Sequence, residues 1–543
     1  MRRRGERALV RGLGRASALL ASGTVVSRLL GFVRTAVLAG VIGATGVVAD
    51  AYSQAVYVPN SIYALIGGGL LTAVLVPQIV RASTGADRGQ EYIDKLVTIA
   101  VLAFAVVGVL ATLAAPVLMR IVSGSDAVLP IATTFAYWSI PQLFFLGLYA
   151  VLGEVLNARR SFGPYTWAPV LNNVVALASL GAFVVLFGVI DQRNPPVFSW
   201  QMNAVLAGGA TLGIAAQALI LLAAWKRAGL SYRPDFRWRG VHLSATGKAA
   251  GWTFAMLVLT QVAGLVQARV ASSTSGAGTA SVAVMGIAWL IFMLPHSIIT
   301  VSLITVFYPR MSEHAAAGDH AALRGDVGQA MRIVLLFLVA ADAALLAAAV
   351  PFSAAFSDSP AEARAVGLVL VAYLLGLLPF TALFVVQRAF YALADTRTPF
   401  LFTLAQVLFV IAGTLACILL PRDLTTAAIA LTISLGALLQ FGIAAVLLRR
   451  RIGGLGGRAV GGSFLRYLVA AVPAFGAGVG VLALLGGLGD GWAVDGKANG
   501  LVATALIAAA VAVVYLAVLA LLRSPELRAA LDLVRRRRAA PVE

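Results

Sequence analysis

Residues Ser27–Gly43 read SRLLGFVRTAVLAGVIG, an apolar run interrupted only by Arg28 and Arg34. An apolar helix needs about 20 residues to cross the hydrocarbon core of a bilayer. With the residues before it, this stretch supplies such a span over 18–42. An Arg at mid-helix costs about 2.5–3.5 kcal/mol to insert, and each Leu, Ile, Phe or Val returns only about 0.3–0.6 kcal/mol. The two arginines therefore cancel most of what the apolar side chains contribute, unless the guanidinium groups face water or partners instead of lipid. Successive residues turn by about 100°, so side chains six residues apart point about 120° from each other. They can line a wide cavity but not one narrow stripe. A second reading stays open, in which Arg28 snorkels to the interface and only Arg34 lies deep.

The rest of the chain agrees with a membrane setting. Of 543 residues, 60% are hydrophobic and only 12% charged, about half the charged fraction of an ordinary soluble domain. Long apolar stretches of that kind leave too little polar surface for a soluble protein. Scanning for helix-length apolar runs gives fourteen candidate spans. The first six are 18–42, 49–80, 96–120, 129–156, 164–190 and 201–225. Six more are 249–272, 280–308, 327–352, 366–394, 399–420 and 425–448, followed by 463–487 and 499–522. Spans two and eight carry Pro59 and Pro295, which predicts kinks there. The basic start MRRRGERALVRGLGR is similar to a signal-peptide n-region, but the apolar stretch behind it runs on to Gly43, so we read it as a retained first span.

The net charge of +19 does not point to nucleic acid, because the basic residues fall in short segments between apolar runs. Topology and anionic lipid account for them there. With both termini in the cytoplasm, six of the 41 Lys and Arg fall outside (Arg120, Arg193, Arg269, Arg364, Arg422, Lys497). Arg28 and Arg34 lie within span one, and the remaining 33 fall inside. The expected organisation is a first lobe over 1–225 and a cytoplasmic linker over 226–248. A second lobe over 249–450, a terminal helix pair over 451–522 and a basic tail over 523–543 follow. The tail, SPELRAALDLVRRRR, reads as a short amphipathic helix lying on anionic lipid.

Enzyme and metal chemistry find no foothold in the sequence. Cys417 is the single cysteine, the four histidines show no metal-ligand spacing, and no loop is long enough for a catalytic domain. We expect neither an enzyme nor a cofactor. Gly67-Gly68-Gly69 lacks the Lys-Ser/Thr of a phosphate loop and fits close helix packing or a hinge.

An internal repeat divides the chain near its middle. Pro59-Asn-Ser-Ile pairs with Pro295-His-Ser-Ile, and Val76-Pro77-Gln78 with Tyr308-Pro309-Arg310. The hairpin Leu156–Pro164 pairs with Tyr391–Pro399. The offsets between matching prolines are 236, 232 and 235 residues. Six spans separate the copies, an even number, so the halves share one orientation, as in transporters built from parallel repeats.

The candidate site residues follow from charge within the membrane. Arginine suits phosphate because its planar fork donates two hydrogen bonds and stays ionised, so Arg28 and Arg34 fit a pyrophosphate or other anionic headgroup. Asp50, Glu154 and Asp342 are the candidate carboxylates. Asp342, in LFLVAADAALLA, lies deepest and reads as a proton or cation site, as an ion-pair partner for an arginine, or as a structural hydrogen bond. Asp50 and Glu154 also read as interfacial. Arg269, near the outer end of span seven, reads as an exterior anchor. His296 follows Pro295, whose ring frees a carbonyl that the imidazole can bond.

At these residues the chain resembles the MurJ/MviN family, the lipid II flippases of the multidrug/oligosaccharidyl-lipid/polysaccharide exporter superfamily. The resemblance rests on SRLLGFVR (Ser27–Arg34), ADAYSQAVYVPN (Ala49–Asn60), LNARRSFGPYTWAPVLNN (Leu156–Asn173), LPHSIITVSLITVFYPRMS (Leu294–Ser312) and FYALADTRTP (Phe390–Pro399). It implies an all-α membrane protein of fourteen helices, with two six-helix lobes around a cationic cavity and two last helices bordering a groove for a lipid tail. The matching essential positions are Arg28, Arg34 and Asp50. Where the family often has an arginine pair and a glutamate after Pro59-Asn60, this chain has Tyr63-Ala64 and Gly68. Where it often has Asp-Arg, this chain has Trp289-Leu290. Arg269 is the candidate to compensate for the missing cations, which adds it to the substrate-binding set, and Asp342 and Glu154 remain candidates for ion or proton coupling.

The resemblance thus implies a monomeric flippase of the bacterial cytoplasmic membrane that moves undecaprenyl-pyrophosphate-linked peptidoglycan precursor, without a cofactor and without nucleic acid. Its partners would be that lipid-linked precursor, anionic lipids at the basic loops and cell-wall synthesis proteins. Alternatives are a flippase for another polyprenyl-linked saccharide, a multidrug exporter, or a non-transporting scaffold for cell-wall enzymes.

Overall fold

Apolar runs of this length in lipid must satisfy every backbone N–H and C=O internally, which leaves helix as the available form. The structure, a computed structural model, describes residues 2–71, 90–159, 161–191, 196–237, 247–276, 279–487 and 491–528, and among them there are helices and no strands. In chain order the α-helices of six or more residues are α1 (Arg2–Ile42), α2 (Val47–Tyr63), α3 (Gln90–Leu113), α4 (Ala115–Val122), α5 (Leu129–Ser139), α6 (Gln142–Ala158), α7 (Phe162–Phe187), α8 (Gly209–Arg227) and α9 (Gly247–Ser272). There follow α10 (Val282–Pro295), α11 (Val301–Ala316), α12 (His320–Ala347), α13 (Ala349–Ala354), α14 (Pro360–Leu374), α15 (Leu377–Ala392), α16 (Arg397–Ala416), α17 (Arg422–Ile452), α18 (Gly457–Leu484) and α19 (Lys497–Leu521).

Among the described residues twelve spans are long and apolar enough to cross a membrane, or thirteen when α14 and α15, bent by 42° at their junction, count as one. The protein is therefore a multi-pass membrane protein. The expected second span runs beyond Leu71 into residues outside those described, so the count of fourteen is not reached within them. Val76–Gln78 of the repeat, Arg160, Arg193 and the arginines of the basic tail (535–538) also lie outside the described residues.

The two proline-bearing spans break in the same way. π-type segments run over Ala64–Leu71, five residues past Pro59, and over His296–Thr300, immediately after Pro295. A third, Ala204–Gly208, contains no proline, so proline alone does not account for them. Gly67 sits in the first of these segments. A Cβ on it would lie 2.6 Å from the Tyr63 ring, so the glycine is there for close packing.

The chain forms two compact units, residues 1–277 and 278–543. In the first, α1 packs on α7, α7 on α8, α2 on α5 and α3 on α6. Tyr52, Phe135 and Phe183 anchor one core cluster, and Phe104, Leu143 and Trp225 anchor another. Helix α9 belongs to this unit by its packing. Gln261 Nε2 donates to the Ser61 carbonyl at 2.9 Å, and a Cβ on Gly264 would lie 2.4 Å from the Tyr57 hydroxyl. In the second unit, α12 packs on α18, α18 on α19, and α15 and α16 on α17. The Tyr515 hydroxyl of α19 donates to the Leu336 carbonyl of α12 at 2.9 Å.

Candidate functional site

The first helix presents three separate faces. Val25, Leu29, Val33 and Val37, four residues apart, are all exposed and make an apolar stripe suited to acyl chains. Gly23 and Gly31 face α7, where a Cβ on Gly23 would meet Thr166 at 2.9 Å. Asn173 of α7 donates to the Ser27 carbonyl at 2.9 Å. With about 100° between successive residues, Arg28 and Arg34 each stand roughly 120° from the centre of the apolar stripe, on opposite sides of it. Neither guanidinium is rooted in the lipid-suited face.

Arg28 is exposed, on the same flank as Thr24 and Thr35, while Arg34 is half-buried beside the Tyr52 hydroxyl, within hydrogen-bonding reach of it. Among the described residues neither arginine has a carboxylate at ion-pair distance. Guanidinium groups held off the apolar face can offer the charged, forked donors that phosphate oxygens accept.

Asp50 lies in the first turn of α2, where the helix dipole favours negative charge. It is 0% exposed, and the Ser275 hydroxyl, just past α9, donates to its carboxylate. Its neighbour one turn on, Gln54, donates to the Ser272 hydroxyl at 2.8 Å. Asp50 and Gln54 thus tie α2 to the end of α9, and the carboxylate is a buried acceptor in this contact.

Arg269 has well-defined partners. Its Nη1 donates to the carbonyls of Arg120 (2.6 Å), Ile121 (3.2 Å) and Ser123 (2.9 Å), at and just past the C-terminal end of α4. The last carbonyls of a helix lack intrahelical partners, and a cation there also meets the negative end of the dipole. Gly124 permits the approach, since a Cβ on it would lie 2.2 Å from the Arg269 carbonyl. This is the geometry of an anchor.

The two remaining carboxylates lie on different units. Glu154 of α6 is half-buried among the Tyr63 and Tyr165 side chains. Asp342 of α12 is 7% exposed, and its Oδ1 has no hydrogen-bond partner among the described residues. A Cβ on Gly478 of α18 would lie 2.9 Å from the Ala347 Cβ, and Tyr515 of α19 bonds the Leu336 carbonyl, so Asp342 lies along α12 between its contacts with α18 and α19. His296 bonds the Thr381 hydroxyl at 3.3 Å and packs edge-on to Phe380 and Phe384.

Sequence reading passed over Arg388. It lies in α15, four residues before the helix end, with its guanidinium 4.8 Å from the Phe384 ring centre and 5.6 Å from that of Tyr308. Cation–π contact holds such a charge without neutralising it. The available signal was an Arg inside the apolar run 366–394, the same signal that singled out Arg28 and Arg34. Trp289 stacks on Phe292 at 4.9 Å and meets Tyr373 and Phe380 edge-on, so an aromatic cluster occupies the place of the Asp-Arg pair that the resemblance leads one to expect.

Comparisons with known proteins give the family and the fold. The profile of the family described as "Lipid II flippase MurJ" matches residues 38–490, beginning just after Arg34. The chain is 27% identical over 392 residues to the lipid II flippase MurJ of Burkholderia cenocepacia, covering 69% of this chain and 72% of that one. It is 26% identical over 399 residues to the probable lipid II flippase MurJ of Rhizobium meliloti, covering 71% of each. Among solved structures, the inward closed conformation of a lipid II flippase MurJ superposes with a TM-score of 0.68 at 16% identity, over 90% of this chain and 98% of that one. An inward-facing multidrug MATE transporter of the MOP superfamily gives 0.60 at 16% identity, over 80% and 96%; both likenesses concern the fold. With the family's profile spanning most of its length, this chain belongs to the lipid II flippase MurJ family.

Proposed function

We propose that this protein is a flippase that carries lipid II, the undecaprenyl-pyrophosphate-linked peptidoglycan precursor, across the bacterial cytoplasmic membrane by alternating access. Moving a pyrophosphate and its sugars through hydrocarbon unassisted is prohibitive. The protein's task is to replace the headgroup's hydration while the polyprenyl tail stays in lipid. The observation that carries this reading is the placement of Arg28 and Arg34 in a MurJ-family chain, off the apolar stripe and with no carboxylate at ion-pair distance among the described residues. Arg28 and Arg34 would hold the pyrophosphate, with Tyr52 orienting Arg34. Asp50 would maintain the α2–α9 contact beside them. Arg269 would contribute by fixing α9 against α4, and Asp342 is the candidate for coupling to a proton gradient.

Both termini would lie in the cytoplasm, following the excess of Lys and Arg on that side. The test is complementation of a conditional flippase-null strain with wild type and with the Arg28→Ala/Arg34→Ala pair. Rescue by wild type alone supports lipid II transport, whereas rescue by both favours a scaffold role. A second reading, transport of another polyprenyl-linked saccharide, rests on the aromatic cluster around Trp289, which stands where the resemblance leads one to expect Asp-Arg. Failure of wild type to rescue, with transport of that other lipid observed, would select it.

A further inference from the structure

The two copies of the internal hairpin treat the start of the following helix in opposite ways. In the second copy, Asp395 precedes α16 and its carboxylate accepts from the Thr398 backbone N–H at 3.0 Å and from the Thr398 hydroxyl at 2.8 Å. The hairpin supplies its own anion. At the 235-residue offset that aligns Pro164 with Pro399, the position of Asp395 is Arg160 in the first copy. Here the 26-residue helix α7 starts at Phe162 with no side-chain cap from Ser161.

In place of a carboxylate, the first copy has an open pocket of about 460 Å³ lined by Arg159, Ser161, Pro164, Ala224, Arg227 and Ala228. Arg159 stands at the end of α6 and Arg227 in the last turn of α8, so two elements contribute arginines to the lining of one cavity. Among the described residues no carboxylate lines it. Ser161, also in the lining, adds a hydroxyl donor.

We propose that this pocket binds the phosphate group of an anionic membrane lipid. It is separate from Arg28 and Arg34 and independent of what they carry. Three facts converge on phosphate. The pocket is cationic from two sides, and arginine forks match phosphate oxygens bidentately. It opens at helix ends on the Arg- and Lys-rich side, where basic pockets between spanning helices take lipid headgroups. Finally, the anion that the sister hairpin carries in its own sequence is exchanged here for an arginine. A bound headgroup would clamp the ends of α6, α7 and α8 together, and would do so only in a membrane that contains acidic lipid. Free pyrophosphate offers the same oxygens, so a lipid probe and a soluble probe separate the two sources.

The test uses the full chain purified in detergent, with native mass spectrometry reading binding of phosphatidylglycerol, phosphatidylcholine and inorganic pyrophosphate in separate titrations. Phosphatidylglycerol should bind more tightly than phosphatidylcholine. Arg159→Gln/Arg227→Gln should weaken it roughly tenfold or more, as expected when charge-assisted hydrogen bonds are lost. Arg449→Gln/Arg450→Gln, with the same change in net charge at the end of α17, should leave binding unchanged. Pyrophosphate binding lost in the same variants, without lipid preference, would keep the phosphate site and assign it to a soluble source. If the pocket variants bind every probe as wild type does, or if the control pair loses as much, the proposal is overturned. Equal thermal midpoints of the unliganded variants exclude misfolding as the cause.

Discussion

Arg269 Nη1 lies 2.9 Å from the Ser123 carbonyl, and it reaches the Arg120 carbonyl at 2.6 Å in the same fork. This makes Arg269 an anchor between α9 and the end of α4. Hydrogen bonds from a charged donor contribute about 1.5–3 kcal/mol. We therefore expect Arg269→Ala to lower the thermal midpoint in detergent and reduce transport only in proportion to folded protein. A variant with unchanged stability and no transport would return Arg269 to the substrate-binding set.

Asp342 has a different signature, a buried carboxylate whose Oδ1 lacks a partner. An isolated ionised carboxylate in an apolar interior is far more costly than its protonated form. A metal cation in turn needs six or so oxygen ligands, and no metal-holding cluster occurs among the described residues. If Asp342 works by binding and releasing a proton, Asp342→Asn should fold at least as stably as wild type. It should also uncouple lipid II movement from the proton gradient in proteoliposomes. Normal gradient-driven movement in that variant would remove Asp342 from the mechanism.

Arg388 is held by rings, with no carboxylate at ion-pair distance among the described residues. Arg388→Gln should reduce rescue of a flippase-depleted strain, and Arg388→Lys should retain part of it. Phe384→Leu should have an intermediate effect, since cation–π contact is worth about 0.5–2 kcal/mol. Full rescue by Arg388→Gln at wild-type protein levels would mark this residue as an interfacial charge only.

How far the sequence could be read depended on the kind of signal. Helix positions followed from apolar length, because lipid leaves the backbone no alternative, and Arg28 and Arg34 stood out because two charges in one span are costly. What pairs with what was not legible. The Asp50–Ser275 hydrogen bond joins residues 225 apart, and the carbonyls that bind Arg269 belong to a helix end 149 residues earlier. No periodicity encodes such contacts. The packing of α9 with the first unit was hidden for the same reason, since a linker over 226–248 suggests a boundary that only contacts can place. The bend between α14 and α15 escaped because both halves are apolar and the run 366–394 reads as one.

The loop after α8 gives a pH prediction outside the membrane. Arg237 donates through its side chain to Asp235 (2.9 and 3.1 Å) and through its backbone N–H (2.8 Å), which lowers the Asp235 pKa to about 2. Because the folded value is depressed, this contribution to loop order is present at neutral pH. It fades as pH falls from about 4, the unfolded value, toward about 2. Hydrogen exchange at the Arg237 amide should be slow at pH 7 relative to Asp235→Asn. Equal rates in the two proteins would show that the contact does not order the loop.

The central claim concerns two guanidinium groups kept away from acyl chains so that they can hold a pyrophosphate. It is tested most directly by leaflet-resolved labelling of lipid II in cells depleted of their own flippase and supplied with this protein or with Arg28→Gln/Arg34→Gln at equal membrane levels. The account predicts that wild type restores lipid II to the outer leaflet and that the double variant leaves it inside. Outer-leaflet lipid II restored equally by both proteins would contradict it.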